Sequence, residues 1–262
     1  MNRPVAAFAG LLLRDVSVLR HHLSEFVLRT LAQPLLFVFV FAYLFPRIGQ
    51  GVGGPGSGFA SVLIPGLVAV TAVFAGVSTV SLPLAIEFGA TREIEDRIMA
   101  PLPVWAVALE KMVFGAMQSL LSAAFVLPLG LLISTADIGI SVRRPGLLVA
   151  VVLLACWISG ALGLAVGTLV PPQRMGLVFS VLVVPLTFLG CVYYPWAALA
   201  PVRWLQLGVL ANPLVYMAEG LRATLTPDVP HMSAAVYLSV GTGLAVALTA
   251  LGLRLFQRRV AI

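Results

Sequence analysis

The charged side chains that could do chemistry are concentrated in one stretch, EFGATREIEDRIMAPLP, Glu87–Pro103. The whole chain of 262 residues has only 16 basic and 10 acidic ones. The stretch contains Glu87, Arg92, Glu93, Glu95, Asp96 and Arg97. Interspersed carboxylates and guanidinium groups form ion pairs, and the spacing lacks the paired D-x-x-D pattern of a metal site. We therefore interpret the stretch as a surface that binds another protein, with a solvated loop as the alternative.

The same stretch has a helical pattern. Ile94, Ile98 and Met99 stand at i, i+4 and i+5 and form one apolar edge, while charged residues take the other positions. Pro101 and Pro103 end the pattern, since proline removes a backbone donor. Segment 87–103 is thus predicted to contain a short helix with a charged face and a hydrophobic edge.

Nucleotide-binding and catalytic motifs are missing from the sequence. A P-loop needs G-x-x-x-x-G-K-[ST], and the only lysine, Lys111, lies in ALEKM. The stretch Gly49–Gly58 contains G-x-G-x-x-G, but it follows an apolar helix and not a strand, so it predicts a flexible outer loop. Cys156 and Cys191 lie in different apolar runs and are predicted to be buried small hydrophobic residues. We expect no catalytic residue, cofactor or metal site in this chain.

The composition indicates that lipid is the solvent for most of the chain. It is 60% hydrophobic and 10% charged, whereas an ordinary soluble domain has about 25% charged residues. A bilayer core needs about 20 apolar residues per helix. The uncharged runs predict an all-α membrane protein, one transmembrane domain over 1–262, with six spans at about 31–46, 60–86, 104–133, 146–170, 176–195 and 233–255. The dispersed positive charge argues against nucleic-acid binding.

The basic residues predict the orientation. Six spans place both termini on one side, and eleven basic residues fall on that side. The five on the other side are Arg47, Arg143, Arg144, Arg203 and Arg222. Because basic residues accumulate on the cytoplasmic side, both termini and segment 87–103 are expected in the cytoplasm.

Residues 1–28 have the pattern of an amphipathic helix that lies on the cytoplasmic membrane surface. Leu12 and Val16 begin an apolar stripe at spacings of three and four, and Arg14 and Asp15 take the other faces. A simple extension of the first span is the alternative.

Small residues recur every four positions in two predicted spans. The span at 146–170 contains Ser159, Gly163 and Gly167, and the last span contains Gly241, Ala245 and Thr249. Such ladders let helices approach closely. The sequence leaves open whether these small residues pack helices within the chain or form a subunit interface.

The segment 196–228 is too long and apolar for a plain loop. RWLQLGVLANP predicts a short helix that stops at Asn212-Pro213, and helical spacing resumes in LVYMAEGLRATL. We interpret the segment as a re-entrant helical hairpin in the outer leaflet. Glu219 and Arg222 are i, i+3 neighbours, and the cost of charge in a membrane favours their pairing. They are either a gate for cargo or a structural ion pair.

Together, the predicted amphipathic helix, six spans, charged segment and re-entrant hairpin resemble the ABC type-2 export permeases over essentially the whole length of the chain. REIEDRIMAPLP followed by LEKM, Arg92–Met112, is similar to the family's acidic amphipathic turn, and ANPLVYMAEGLRATL, Ala211–Leu225, is similar to its Asn-Pro-Leu pattern. The resemblance implies a dimer of permeases in the bacterial inner membrane, with separate ATPase subunits that bind ATP and Mg²⁺. Its drug-export branch, of the daunorubicin type, is nearer than the polysaccharide branch, because the outer segments lack aromatic ladders.

The expected function is export of a hydrophobic drug, antibiotic or lipid-like cargo. A polysaccharide or glycolipid exporter, an ATPase-independent secondary transporter and a membrane enzyme of lipid metabolism are the alternatives. The residues expected to couple to the ATPase are Arg14, Asp15, Arg92, Glu93, Glu95, Asp96 and Arg97. Those expected along the cargo path or gate are Phe37, Phe41, Phe179, Phe188, Tyr216, Glu219 and Arg222. Packing is the alternative role for the aromatic ones.

Overall fold

The computed structural model describes residues 3–21, 23–24, 27–28, 32, 35–36, 39–44, 47, 59–89, 94, 102–133 and 140–260. Every regular element in these ranges is a helix, which confirms the predicted all-α class. The α-helices are α1 Arg3–His21, α2 Phe59–Gly89, α3 Val104–Ile133, α4 Pro145–Leu169, α5 Met175–Phe188, α6 Arg203–Gly208, α7 Pro213–Leu225 and α8 Ala234–Val260. A π-helical turn covers Phe39–Leu44.

Among the described residues, four helices are long and apolar enough to cross a membrane, namely α2, α3, α4 and α8. They correspond to the predicted spans at 60–86, 104–133, 146–170 and 233–255. The predicted span at 31–46 is described only in part, and its one continuous described stretch is Phe39–Leu44. The one at 176–195 corresponds to α5, which has 14 residues and is therefore roughly 21 Å long, shorter than a bilayer core. The count of six spans stays a prediction.

Helix α5 is short because the chain turns away after Phe188. The Leu189 amide donates to the Pro185 carbonyl, and Cys191 has a φ of 53°. This left-handed backbone conformation is rare for a residue with a side chain, and it lies in the turn that follows the helix. An apolar run bounded by charges does not reveal such a turn, so the sequence alone placed the end of this helix too late.

Helix α2 is the centre of the bundle. Most of its residues are buried, and it packs against α3, α4 and α7. Helix α8 packs on α4 and leaves most of its surface exposed, where residues such as Val240, Val246 and Leu251 are apolar. Such a surface is what a hydrocarbon solvent favours.

The ladder of small residues in α4 faces α2. A Cβ atom on Gly163 would lie 2.8 Å from Cβ of Val80, and one on Gly167 would lie 2.7 Å from Cα of Ser81. Only glycine permits so close a backbone approach. The ladder therefore packs helices within the chain, which decides between the two readings that the sequence left open. On α8, Gly241 packs in the same way against Leu154 of α4.

The segment after α5 forms two helices with a break between them. Helix α6 is followed by a 3₁₀ turn, Val209–Ala211, and α7 begins at Pro213. The side chain of Asn212 caps α7 by accepting a hydrogen bond from the Leu214 amide at 3.0 Å, and its Nδ2 donates to the Leu186 carbonyl at 2.8 Å. The break thus lies where Asn212-Pro213 predicted it. How deeply this hairpin enters the membrane stays a prediction.

Candidate functional site

Three charged side chains from three helices meet at one end of the bundle. The Lys111 ammonium of α3 donates to Oε1 of Glu87 at 2.9 Å and to Oδ2 of Asp15 at 3.2 Å. Glu87 lies in the last turn of α2, and Asp15 lies on α1. The side chains are only 6%, 8% and 11% exposed for Lys111, Glu87 and Asp15. We call these three residues the inner cluster.

The inner cluster exists because small residues bring the neighbouring helices together. A Cβ on Gly115 would clash with Val80 of α2, and one on Gly160 of α4 would clash with the Met112 carbonyl of α3. Close packing places Lys111, one residue before Met112, against the end of α2. Buried charges are tolerated when they are paired and hydrogen-bonded, so α1 completes a site that α2 and α3 begin.

The last helix contacts the same end of α2. The rings of Phe88 and Phe256 meet edge to face with centroids 5.5 Å apart, and the Arg259 guanidinium lies 4.5 Å from the Phe88 ring centroid. Arg259 also donates to the Thr168 carbonyl in the last turn of α4. The end of α2 is therefore held on one side by the inner cluster and on the other by α8.

Of the apolar edge predicted for segment 87–103, the structure describes one residue, Ile94. Ile94 is buried in a cluster with Leu84, Val107 and Phe256, which belong to α2, α3 and α8. Ile98 and Met99 lie outside the described residues. Ile94 therefore packs against the bundle at the end where the inner cluster lies.

A second charged cluster lies in the hairpin. Arg222 Nη1 donates to Glu219 Oε1 at 2.6 Å, and both side chains are fully buried. The backbone amides of Trp196 and Met232 donate to Glu219 at 2.9 and 2.7 Å. We call the pair Glu219–Arg222, with these backbone partners, the outer cluster.

The outer cluster fastens the hairpin to the bundle. Arg222 Nη2 donates to the carbonyl oxygens of Cys191 at 2.9 Å and of Val62 at 3.3 Å. Close by, the Thr226 hydroxyl donates to the Ser61 carbonyl at 3.0 Å. Because every one of these contacts joins the hairpin to another segment, the geometry favours a structural ion pair over a gating one.

The inner and outer clusters lie at opposite ends of α2. Val62 contacts the outer cluster and Glu87 belongs to the inner one. Their separation of 25 positions along one helix corresponds to roughly 38 Å at 1.5 Å per residue. This is close to the thickness of a bilayer with its interfacial regions. Each cluster therefore lies where a spanning helix would reach a membrane surface.

The family model described as ABC-2 type transporter matches residues 7–226. The chain belongs to the ABC-2 type transporter family. The match begins within α1 and ends just after α7, so it includes the inner cluster and the pair Glu219–Arg222. The chain is also similar to the inner membrane transport permease YadH of Escherichia coli strain K12 and of Shigella flexneri, in each case with 25% identity over 207 residues, 77% of each chain. It is therefore an ABC-2 family membrane permease.

Of the residues predicted to couple this ABC-2 permease to an ATPase, the structure brings Asp15 into the inner cluster. Arg14, its neighbour on α1, is exposed. Five other predicted residues, Arg92, Glu93, Glu95, Asp96 and Arg97, lie outside the described residues. The sequence alone did not reveal that Asp15 and Glu87 both accept a hydrogen bond from the Lys111 ammonium. The available signal was that the only lysine and a carboxylate flank one loop on the same predicted side of the membrane.

The predicted cargo-path aromatics are not gathered in one place. Phe179 is half-buried against the core, whereas Phe188 is 57% exposed, with its ring 5.6 Å from that of Tyr193. Tyr216 is buried, and its hydroxyl donates to the Leu210 carbonyl within the hairpin at 2.8 Å. Phe37 and the side chain of Phe41 lie outside the described part of the chain.

An apolar groove of about 490 Å³ lies between α5 and the hairpin. Its walls include Leu177, Val181, Pro185, Val209 and Pro213. Phe179, Phe188 and Tyr216 do not line it. In the described ranges, no three His, Cys, Asp or Glu residues are grouped in a way that could hold a metal ion.

Proposed function

We propose that the chain is the membrane-spanning permease subunit of an ATP-driven ABC exporter that moves a hydrophobic drug, antibiotic or lipid-like cargo outward. The observation that carries this proposal is the family match over residues 7–226, which covers most of α1, three of the four described helices long enough to span, and most of the hairpin. The printed name of the similar protein YadH, an inner membrane transport permease, supports transport as the activity.

A separate polypeptide supplies the energy. The sequence has no G-x-x-x-x-G-K-[ST] motif, with which backbone amides and a lysine hold nucleotide phosphates. ATP and Mg²⁺ are bound by the partner ATPase, and this chain contributes the surface that the ATPase contacts. That surface consists of α1 and segment 87–103, which lie at the same end of the bundle.

Transport follows from differential contacts in two states. When the ATPases close on ATP, they displace α1 and segment 87–103. Since Asp15 and Ile94 connect these elements to α2 and α3, the displacement changes the arrangement of the spans. A second permease copy completes the path, and both termini face the cytoplasm of a bacterium.

A hydrophobic cargo fits the apolar exposed surface of α5 and the groove beside it, where Leu177 and Val181 are exposed. A polysaccharide or glycolipid exporter of the same family is the alternative cargo class.

Co-purification tests the partnership. The permease is expressed with the ATPase subunit encoded beside it and isolated through a tag on the permease. We expect the ATPase to be retained, and to be lost when Glu93→Lys, Glu95→Lys and Asp96→Lys are combined. If the triple variant retained as much ATPase as the unaltered permease does, segment 87–103 would be excluded as the surface that contacts the ATPase.

A further inference from the structure

The inner cluster joins parts of the chain that sequence proximity does not hold together. Asp15 and Lys111 are 96 positions apart, and Glu87 and Lys111 are 24 apart. Along the chain, segment 87–103 begins at Glu87 and ends before Lys111. The ion pair between Glu87 and Lys111 therefore holds the two ends of this segment close together. Asp15 then joins the surface helix to the same ammonium group.

Burial makes this connection stiff. All three side chains are at most 11% exposed, so water cannot readily replace a lost partner. Pulling α1 away from α3 would separate the Asp15 carboxylate from the ammonium inside a poorly hydrated site. Breaking a buried ion pair is costly, because each charge loses a partner at a site where water does not readily take its place. Moving α1, α2 and α3 together avoids that cost.

We propose that Lys111 is a positioning residue that fastens the surface helix α1 to the ends of α2 and α3, so that a displacement of α1 or of segment 87–103 reaches both spans as one rigid movement. This inference rests on the proposed function for its transport consequence. The fastening itself, that is, the connection of α1 to α2 and α3 through Lys111, can be tested on the permease without the ATPase.

Hydrogen exchange of the purified permease tests the fastening. Lys111→Met and Asp15→Asn should each raise amide exchange across residues 3–21 by about tenfold, a typical size for a coupling between two elements. The rate of amide exchange in α1 of the double variant should be close to that of the single variants, because each single variant already removes the Asp15–Lys111 contact. Unchanged exchange in α1 of either single variant overturns the fastening. Asp15→Asn keeps the test decisive if Lys111→Met does not fold.

The matched control removes an ion pair at the other end of the bundle. Arg143 and Asp228 form an exposed pair at 2.8 Å, and Arg143→Met should leave exchange in α1 unchanged. Lys111→Arg should preserve protection, since guanidinium groups can donate to two carboxylates. If Lys111→Arg lost as much protection in α1 as Lys111→Met, the shape of the side chain at position 111 and not its charge would matter. That result would overturn the proposal.

Transport tests the rigid movement. With the partner ATPase in proteoliposomes, Lys111→Met should retain ATP hydrolysis but move about tenfold less cargo per ATP, and Lys111→Arg should restore the ratio. A merely structural role would lower hydrolysis and transport together. If the unaltered permease shows no ATP-dependent transport, the proposed function fails, while hydrogen exchange still decides the fastening.

A covalent link distinguishes a rigid connection from one that must open. Asp15→Cys and Lys111→Cys are combined, with Cys156 and Cys191 replaced by Ala, and a short bifunctional thiol reagent joins the new cysteines. The unlinked variant should be uncoupled, and the link should restore cargo moved per ATP. Failure of the linked protein to recover would show that α1 has to separate from α3 and would overturn the proposal.

Discussion

Glu219 and Arg222 lie one turn apart on α7 and form a fully buried ion pair, with 2.6 Å between Oε1 and Nη1. Through this pair the hairpin contacts the start of α2, the turn after α5 and the segment before α8, at Val62, Cys191 and Met232. The pair is thus the junction that fixes the outer end of the bundle.

Removing one partner of this pair should destabilise the protein strongly. For Arg222→Met or Glu219→Gln we expect a loss of about 3–5 kcal/mol, because the other charge stays buried without its partner. Thermal unfolding in detergent measures this loss of stability, with the disappearance of monodisperse protein on heating as the readout. Arg143→Met is the matched control, and it should unfold as the unaltered protein does because its pair with Asp228 is exposed. Equal unfolding temperatures for Arg222→Met and the control would contradict the structural role.

The small-residue ladder predicts a steric effect at the α2–α4 contact. Gly167→Ala should cost about 1–3 kcal/mol, because its Cβ would lie 2.7 Å from Cα of Ser81 in a backbone that cannot yield. Gly243→Ala on α8 is the control, since no atom lies within 4 Å of its Cβ position. The comparison uses the same unfolding assay. A Gly167→Ala protein as stable as Gly243→Ala would mean that α2 and α4 are farther apart than described.

These features differ in how far the sequence could predict them. The all-α membrane class follows from composition, and the break before α7 follows from Asn212-Pro213, because both are local properties. The ladder of Gly163 and Gly167 was visible, but its partner helix was not. The inner cluster could not be derived, since pairing Asp15 with Lys111 depends on how α1 folds back over α3.

Segment 87–103 should carry the signal from ATP hydrolysis. Combining Glu93→Lys, Glu95→Lys and Asp96→Lys reverses three charges of the predicted docking face, so the permease should no longer stimulate its ATPase. The rate of ATP hydrolysis with and without permease measures this. Ile94 is left intact to preserve packing on α2 and α3. Full stimulation by the triple variant would show that coupling does not run through these carboxylates.

The two aromatic residues of α5 should behave differently. Phe188 is 57% exposed, so Phe188→Ala should change the KM for cargo and leave stability nearly unaltered. Phe179 packs against the core, so Phe179→Ala should lower the unfolding temperature, consistent with a cost of up to about 3–5 kcal/mol for a buried phenylalanine. Transport kinetics and thermal unfolding of both variants test this. An unchanged KM in Phe188→Ala would remove it from the cargo path.

The most direct test of the export function is transport by the purified pair of permease and ATPase in proteoliposomes. A fluorescent anthracycline serves as the probe, and its movement away from the ATPase side is followed with ATP, without ATP and without the ATPase. We predict movement only when ATP and the ATPase are both present, and a reduced amount per ATP in Lys111→Met. Movement at the same rate without the ATPase would contradict an ATP-driven exporter and favour a transporter that works alone.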